Sequence, residues 1–185
     1  MLKRSPADLE TPAYAVVESR GRWEVRSYEG TTLCQLEGDD AKGPMAFRSL
    51  AGYILSSQNA EAEKMSMTTP VMMRQGAEKR EAMAFVIPQQ YSSKPPTPTN
   101  AQIKVQALPP RLQAAIWFGG LASDDQVAAK RSALEGLVAA DGDYAIAPGA
   151  ECYVAAYNDP FTPPWKRRNE VLLDVVKRQA TTSAP

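Results

Sequence analysis

The hydrophobic period of this chain switches twice from that of a strand to that of a helix, and this alternation limits the folds open to it. In "PMAFRSLAGYILSSQN" (44–59) the apolar residues Phe47, Leu50, Ala51, Ile54 and Leu55 fall at i, i+3, i+4, i+7 and i+8, one face of a helix. Pro44 suits its first turn. Gly52 inside it costs ~1 kcal/mol relative to alanine, which predicts close packing against a flat neighbour. A second helix is predicted from Ser123. Ser123 and Gln126 match a capping box, and Asp124 and Asp125 sit at the positive end of the dipole. Val127, Leu134, Leu137 and Val138 supply its apolar stripe, and Gly142 is expected to end it.

The remaining apolar stretches read as strands. Residues 14–28 form a hairpin turning at Arg20–Gly21, and strands follow at 31–38, 64–73 and 82–88, the last two separated by a polar turn at 74–81. The proline-rich connector "SSKPPTPTNA" (92–101) marks the midpoint. Beyond it come strands at 103–108 and 112–120, split by Pro109–Pro110–Arg111, and at 150–158 and 169–176. Each half therefore runs strand, strand, helix, strand, strand, with one extra strand ahead of the first copy. Two such units pair into a closed or nearly closed sheet, whereas two separate small domains would leave exposed sheet edges. The expected class is α+β: a distorted antiparallel β-barrel of two pseudo-symmetric halves with two flanking helices. Residues 12–178 are expected to form one domain, with flexible ends at 1–11 and 179–185.

A chain of 185 residues buries roughly 70% of the surface its unfolded form exposes, so it needs no metal or disulfide staple. There is no histidine. That removes Ser-His and Cys-His nucleophile pairs, histidine acid–base catalysis, His-ligated metal sites and the commonest axial ligand of haem iron. The 21 basic and 21 acidic residues balance, so no long-range field attracts nucleic acid or anionic lipid. No stretch has the apolar length to span a bilayer, and the start "MLKRSPADLETPAY" carries no apolar run of a secretory signal. Cys34 and Cys152 are far apart and fit no metal-ligand spacing, which favours a reducing compartment. The expected location is the cytoplasm, or a plastid or other organelle if a transit peptide has been removed.

"KMSMTTPVMM" (64–73) holds four of the seven methionines. If it is extended, Met65, Met67, Val71 and Met73 share one face. Alternate positions lie ~6.5–7 Å apart, too far for easy convergence on a soft metal. Core packing and the wall of a pocket for a flat ligand are the readings left open.

Several stretches in order carry a resemblance: "WEVRSY" (23–28), "KMSMTTPV" (64–71), "MAFVIPQQY" (83–91), "PPTPTN" (95–100), "FGG" (118–120) and "YNDPFTPPWKRRNEV" (157–171). Together, from about Tyr14 to Val176, the chain resembles the SOUL haem-binding protein family. The resemblance implies a distorted barrel of two similar halves and binding of haem or another tetrapyrrole in a largely apolar groove beside the first helix. It implies contacts from Phe47, Arg48, Ala51 and Leu55 of that helix, and from Met65 and Met67. The aromatic–proline loop at Trp165 and Lys166 is placed as a lip over the groove. Arg167, Arg168, Asn169 and Glu170 are implied to be structural, an arginine pairing the glutamate. Lys130 and Arg131 are read as covering apolar surface with their stems. A histidine proposed as iron ligand in certain vertebrate members has no counterpart here. Iron ligation is left to Cys34, Cys152, a methionine or a tyrosine, or the ring is held by its faces and rim alone. No catalytic residue and no protein-bound metal site is assigned.

The leading reading is thus a non-catalytic carrier, buffer or chaperone for a tetrapyrrole, with that small molecule as partner, no nucleic acid and no membrane span. An enzyme acting on a tetrapyrrole by metal removal or ring cleavage is the alternative, and it lacks paired carboxylates placed for the work. A sensor module for another hydrophobic small molecule is the third.

Overall fold

The computed structural model describes residues 9–76, 80–159 and 161–179. The expected flexible ends fall largely outside these residues, as do 77–79 of the turn expected at 74–81 and Pro160 of the aromatic–proline loop. The chain forms β1 (Tyr14–Ser19), β2 (Glu24–Tyr28), β3 (Thr31–Glu37), α1 (Gly43–Leu55), β4 (Val71–Gln75), β5 (Arg80–Val86), β6 (Lys104–Leu108), β7 (Arg111–Gly119), α2 (Asp124–Ala139), β8 (Tyr144–Ile146), β9 (Cys152–Ala156) and β10 (Arg168–Lys177). The strands make one sheet in the order β1-β2-β7-β10-β9-β4-β5-β3-β6, with β8 also on β10. Every strand pair is antiparallel.

The two halves meet at the β4–β9 pair. On one side β5, β3 and β6 follow outward from β4; on the other β10, β7 and β2 follow outward from β9. Within this symmetry each leading strand has changed sides. β2 opens the first sequence copy but pairs with β7 of the second, and β6 opens the second copy but pairs with β3 of the first. The register is the same across the bend: Tyr28 faces Arg111 and Thr31 faces Leu108. β2–β3 and β6–β7 are therefore two bent strands running together from one half into the other. Gly30 lies at the crossing, where a Cβ would stand 3.5 Å from the Leu108 carbonyl oxygen. Among the described residues no ladder closes the sheet between β1 and β6; the bent pair joins its ends, giving a distorted and incompletely closed barrel.

Strand alternation sorts side chains to two faces. On the outer face α1 covers β3 and β5, burying Leu50, Tyr53 and Ile54 against Cys34, Met83 and Phe85. α2 covers β7, β8 and β10, burying Val127, Leu134 and Val138 against Ala114, Val171 and Leu173. The inner face closes on a third apolar cluster that includes Leu33, Met72, Val86, Tyr153 and Leu172.

Four local expectations are revised. The strand expected at 64–73 begins only at Val71. Ahead of it the backbone is satisfied by other elements: the Met65 amide donates to the Ile54 carbonyl (2.8 Å), the Thr69 amide to the Glu10 carbonyl (2.9 Å), and Pro70 has no N–H to give. Secondly, β8 is a three-residue strand too short to show a period. Thirdly, α2 stops at Ala139, before Gly142, with Ala140 as its C-cap. Lastly, the neighbour pressing on Gly52 is the Gln58 side chain, whose Oε1 would stand 2.4 Å from an added Cβ; a flat packing surface is not what excludes a larger residue.

Candidate functional site

The first candidate region is the open flank of α1. The helix buries Ala46, Leu50, Tyr53 and Ile54, and the 100° step between residues turns Phe47, Ala51 and Leu55 toward one edge of that buried face. Phe47 and Leu55 remain 38% and 39% exposed. The Phe47 ring packs edge-on against Phe85, with centroids 5.1 Å apart, so it is held while part of its surface stays in water. Ala51, Met67 and Val71 are partly buried against the same cluster. The result is an apolar strip made by one helix edge and the segment entering β4. Arg48 is exposed beside it and has no ion-pair partner among the described residues. Such an arrangement offers apolar area to one face of a flat ring and a cation to an acid group at its edge.

The remaining expected residues are distributed differently. Met65 is 2% exposed and lies beneath α1, where it supports the strip from below and shows almost no surface. Trp165 is 80% exposed. It and Lys166 lie in a short 3-10 turn that docks on β7 in the other half, with the Gly120 amide donating to the Pro164 carbonyl. No described contact joins them to α1. The methionines of 64–73 diverge: Met65 and Met67 join the α1 cluster, Met73 the α2 cluster and Met72 the inner face. Their sulfurs cannot converge on one ion. Both cysteines are buried and free. Burial pushes the Cys34 thiol up to about 12, against the opposing effect of a contact with the Phe85 carbonyl. Cys152 is pushed up to about 11, again by burial, with Arg131 opposing. Neither offers a thiolate at neutral pH. Among the described residues no group of three His, Cys, Asp or Glu could hold a metal ion, and no helix is long and apolar enough to cross a membrane.

The inner face holds the second region, which sequence reasoning missed. Arg111, Gln113 and Trp117 of β7 share a face with Arg168, Glu170, Leu172 and Asp174 of β10 and with Arg26 and Tyr28 of β2. The signal is present in the alternation of Arg111 and Gln113 in "RLQ" and of Arg168, Glu170 and Asp174, interrupted by Leu172, in "RNEVLLD". At the centre is Glu170, 0% exposed. Its Oε2 accepts from Arg26 Nη1 (2.7 Å) and the Tyr157 hydroxyl (2.8 Å), and its Oε1 from Arg26 Nη2 (3.0 Å) and Arg168. Burial alone would raise its pKa, but the hydrogen bonds and charges of Arg26 and Arg168 outweigh it and hold the carboxyl below its usual range. Arg26 stays charged for the reciprocal reason: burial opposes it, and Glu170 prevails. A carboxylate with its lone pairs so engaged is a structural anion and is poorly placed to move protons. Beside this network is a cavity of about 160 Å3, lined in part by Tyr28, Leu33, Met72, Val86, Tyr157 and Leu172. That is below the roughly 300–1,000 Å3 of drug-sized ligand pockets.

Comparison with known proteins gives a consistent picture. The family model described as SOUL heme-binding protein matches residues 9–174. Among curated proteins, Heme-binding protein 1 of Mus musculus is 28% identical over 178 residues, covering 89% of this chain and 92% of the relative. Heme-binding protein 1 of Sus scrofa is 27% identical over 164 residues, covering 82% of each. Among solved structures, the EcmrR C-terminal domain superposes with a TM-score of 0.60 at 10% identity, covering 84% of this chain and 98% of that one. A hydrolase from Listeria innocua gives 0.54 at 11% identity, covering 84% and 92%. At such identities these two structures share the fold, and fold does not carry function.

Proposed function

The chain belongs to the SOUL heme-binding protein family, and from that premise we propose that it binds haem or a related tetrapyrrole as a non-catalytic carrier, buffer or chaperone. The observation that carries this reading is the half-exposed apolar strip of Phe47, Ala51 and Leu55 beside Met67, with the exposed Arg48, which has no ion-pair partner among the described residues, at its rim. The macrocycle lies with one face on the strip, and Arg48 meets a carboxylate at its edge. The small side chain at Ala51 leaves room for close approach of the ring. The inner cavity, at about 160 Å3, falls below the roughly 300–1,000 Å3 of drug-sized ligand pockets, which favours the outer strip as the seat.

The absence of histidine shapes the mode of binding. The two thiols are buried and protonated, and Met65 is covered. Met67 is the one sulfur of the 64–73 segment on the strip that retains partial exposure. We infer that binding rests on ring faces and rim, with metal-free and magnesium tetrapyrroles binding comparably to haem. Residues 12–178 act as one binding domain, and the two free thiols suit a reducing compartment such as the cytoplasm or a plastid.

Titration with haem, followed in the Soret region, tests the reading. Saturable one-to-one binding without turnover is expected, and protoporphyrin without metal should bind within about tenfold of haem. Leu55→Glu, which puts a charge on the exposed strip, should weaken both at least about tenfold through lost apolar contact and a desolvated carboxylate. Unchanged affinity in Leu55→Glu, or a Soret band that bleaches over many turnovers with a reductant, would reject the carrier reading.

A further inference from the structure

The inner cavity has a chemistry that the outer strip lacks. The charged side chains on its lining are Arg111 and Arg168, both cationic. Their carboxylate partners, Asp174 and Glu170, are not part of the lining. Arg168 is committed: it donates to Glu170 and stacks over the Tyr157 ring, 5.0 Å from its centroid. Arg111 is not. Its Nε stands 3.5 Å from Asp174 Oδ1, an ion pair without hydrogen-bond geometry. Neither its Nε nor its Nη1 has a hydrogen-bond partner among the described residues, although both atoms are buried. Two residues along the same strand face, Gln113 is 0% exposed. Its Nε2 donates to Asp174 Oδ1 at 2.8 Å, which fixes the orientation of the amide, and its Oε1 is left without a partner among the described residues. Buried donors and acceptors of this kind are ordinarily satisfied. Arg111 and Gln113, the two residues that carry these unmet polar atoms, both belong to the cavity lining, and tyrosine rings with Leu33, Met72, Val86 and Leu172 form much of the rest.

We propose that this cavity is a second ligand site, distinct from the tetrapyrrole strip, and that it takes a small aromatic carboxylate bearing a hydroxyl group. The carboxylate meets the Arg111 fork, the hydroxyl donates to Gln113 Oε1, and the ring lies among the tyrosines and aliphatic side chains. Size supports this class. A water needs roughly 10–15 Å3 of such space, so 160 Å3 admits a molecule of about ten non-hydrogen atoms. Charge supports it too, because a cationic ligand would face arginines with no lining acid to receive it. The site lies on the inner face of the sheet and the strip on the outer face, where α1 packs, so the two sites are occupied independently.

The test uses the full chain, labelled for amide and side-chain NMR, with 3-hydroxybenzoate as probe and benzamidine as its cationic counterpart. 3-Hydroxybenzoate should shift the Gln113 side-chain amide and the backbone amides of Tyr28, Gln113 and Leu172, with Kd on the order of 0.1–1 mM, ordinary for a ligand of this size. Benzamidine should shift none of them. Arg111→Met should weaken 3-hydroxybenzoate at least about tenfold, as expected for loss of charged hydrogen bonds. Val86→Phe, which fills the cavity without touching either polar group, should do the same while porphyrin binding on the strip is retained; it also keeps the test open should Arg111→Met fail to fold. Absence of these shifts at about 10 mM, equal binding of benzamidine, or parental affinity in both variants would overturn the proposal.

Discussion

Glu170 and Arg26 illustrate how a polar residue comes to be kept inside this sheet. Both are almost wholly buried, joined by two parallel hydrogen bonds, with Arg168 and Tyr157 completing the shell of the carboxylate. Removing Glu170 leaves Arg26 and Arg168 facing a neutral group, with Glu24 the remaining carboxylate on Arg26, so Glu170→Gln should lower unfolding stability by about 3 kcal/mol, read from urea titration. The pH dependence has a definite sign. The folded-state pKa of Glu170 is lowered, so its contribution is present above the unfolded value of about 4.3 and is lost as pH falls through the folded value. The stability profile of the parent should drop below about pH 4.3, and Glu170→Gln should show a smaller drop. Tyr28 acts at the other end: burial, opposed by Arg26, raises its hydroxyl to about 12. Its contribution is lost as pH rises from 10 to about 12, and Tyr28→Phe should flatten that limb. At this scale the pairing of an arginine with the glutamate was legible from the resemblance, but Arg26 was not named as partner. It lies 144 positions away in sequence, and no local pattern links the two.

At the scale of elements, α2 shows the closest agreement between sequence and structure. Ser123 is its N-cap, the side chain accepting from the Gln126 amide at 3.4 Å, with Asp124 and Asp125 in the first turn. Ser123→Ala should cost about 0.5–2 kcal/mol in urea unfolding, at the low end because the bond is long. Helices are legible because their caps and period are local. The 64–73 segment shows the converse. Its alternation suits a strand, yet residues 65–69 are held by single bonds to α1, to Glu10 and from Thr68 to the Val86 carbonyl, partners that no period reveals. β7 and β10 sit between: their apolar content marks them as strands, while in the sequence Arg111 reads as part of the break between two strands, Gln113 as one more strand residue, and Arg168 and Glu170 as structural. That set lines or underlies the cavity. The α1 strip was legible as a helix stripe, and the structure adds which edge of the stripe remains open.

For the whole molecule the decisive feature is the exchange of leading strands. Because β2 belongs to the sheet of the second copy and β6 to that of the first, neither half carries a complete sheet of its own. Urea unfolding followed by near-UV and by far-UV circular dichroism should give coincident single transitions; two separated transitions would show halves that stand alone. The repeat of strand, strand, helix, strand, strand was visible in the sequence, whereas the exchange was not, since strand pairing across some eighty positions leaves no periodic trace. The same curled sheet separates an outer face, where α1 offers its apolar edge, from an inner face with a small polar-walled cavity. The central claim is that a planar tetrapyrrole is held on the outer face without an imidazole. Amide NMR of the full chain titrated with zinc protoporphyrin tests it most directly. Resonances of α1 from Phe47 to Leu55 and of Met67 and Val71 should move or broaden together to a one-to-one endpoint, with Gln113 and Leu172 unmoved. Shifts centred on Gln113 and Leu172 with α1 unmoved, or no saturating change anywhere, would contradict the account.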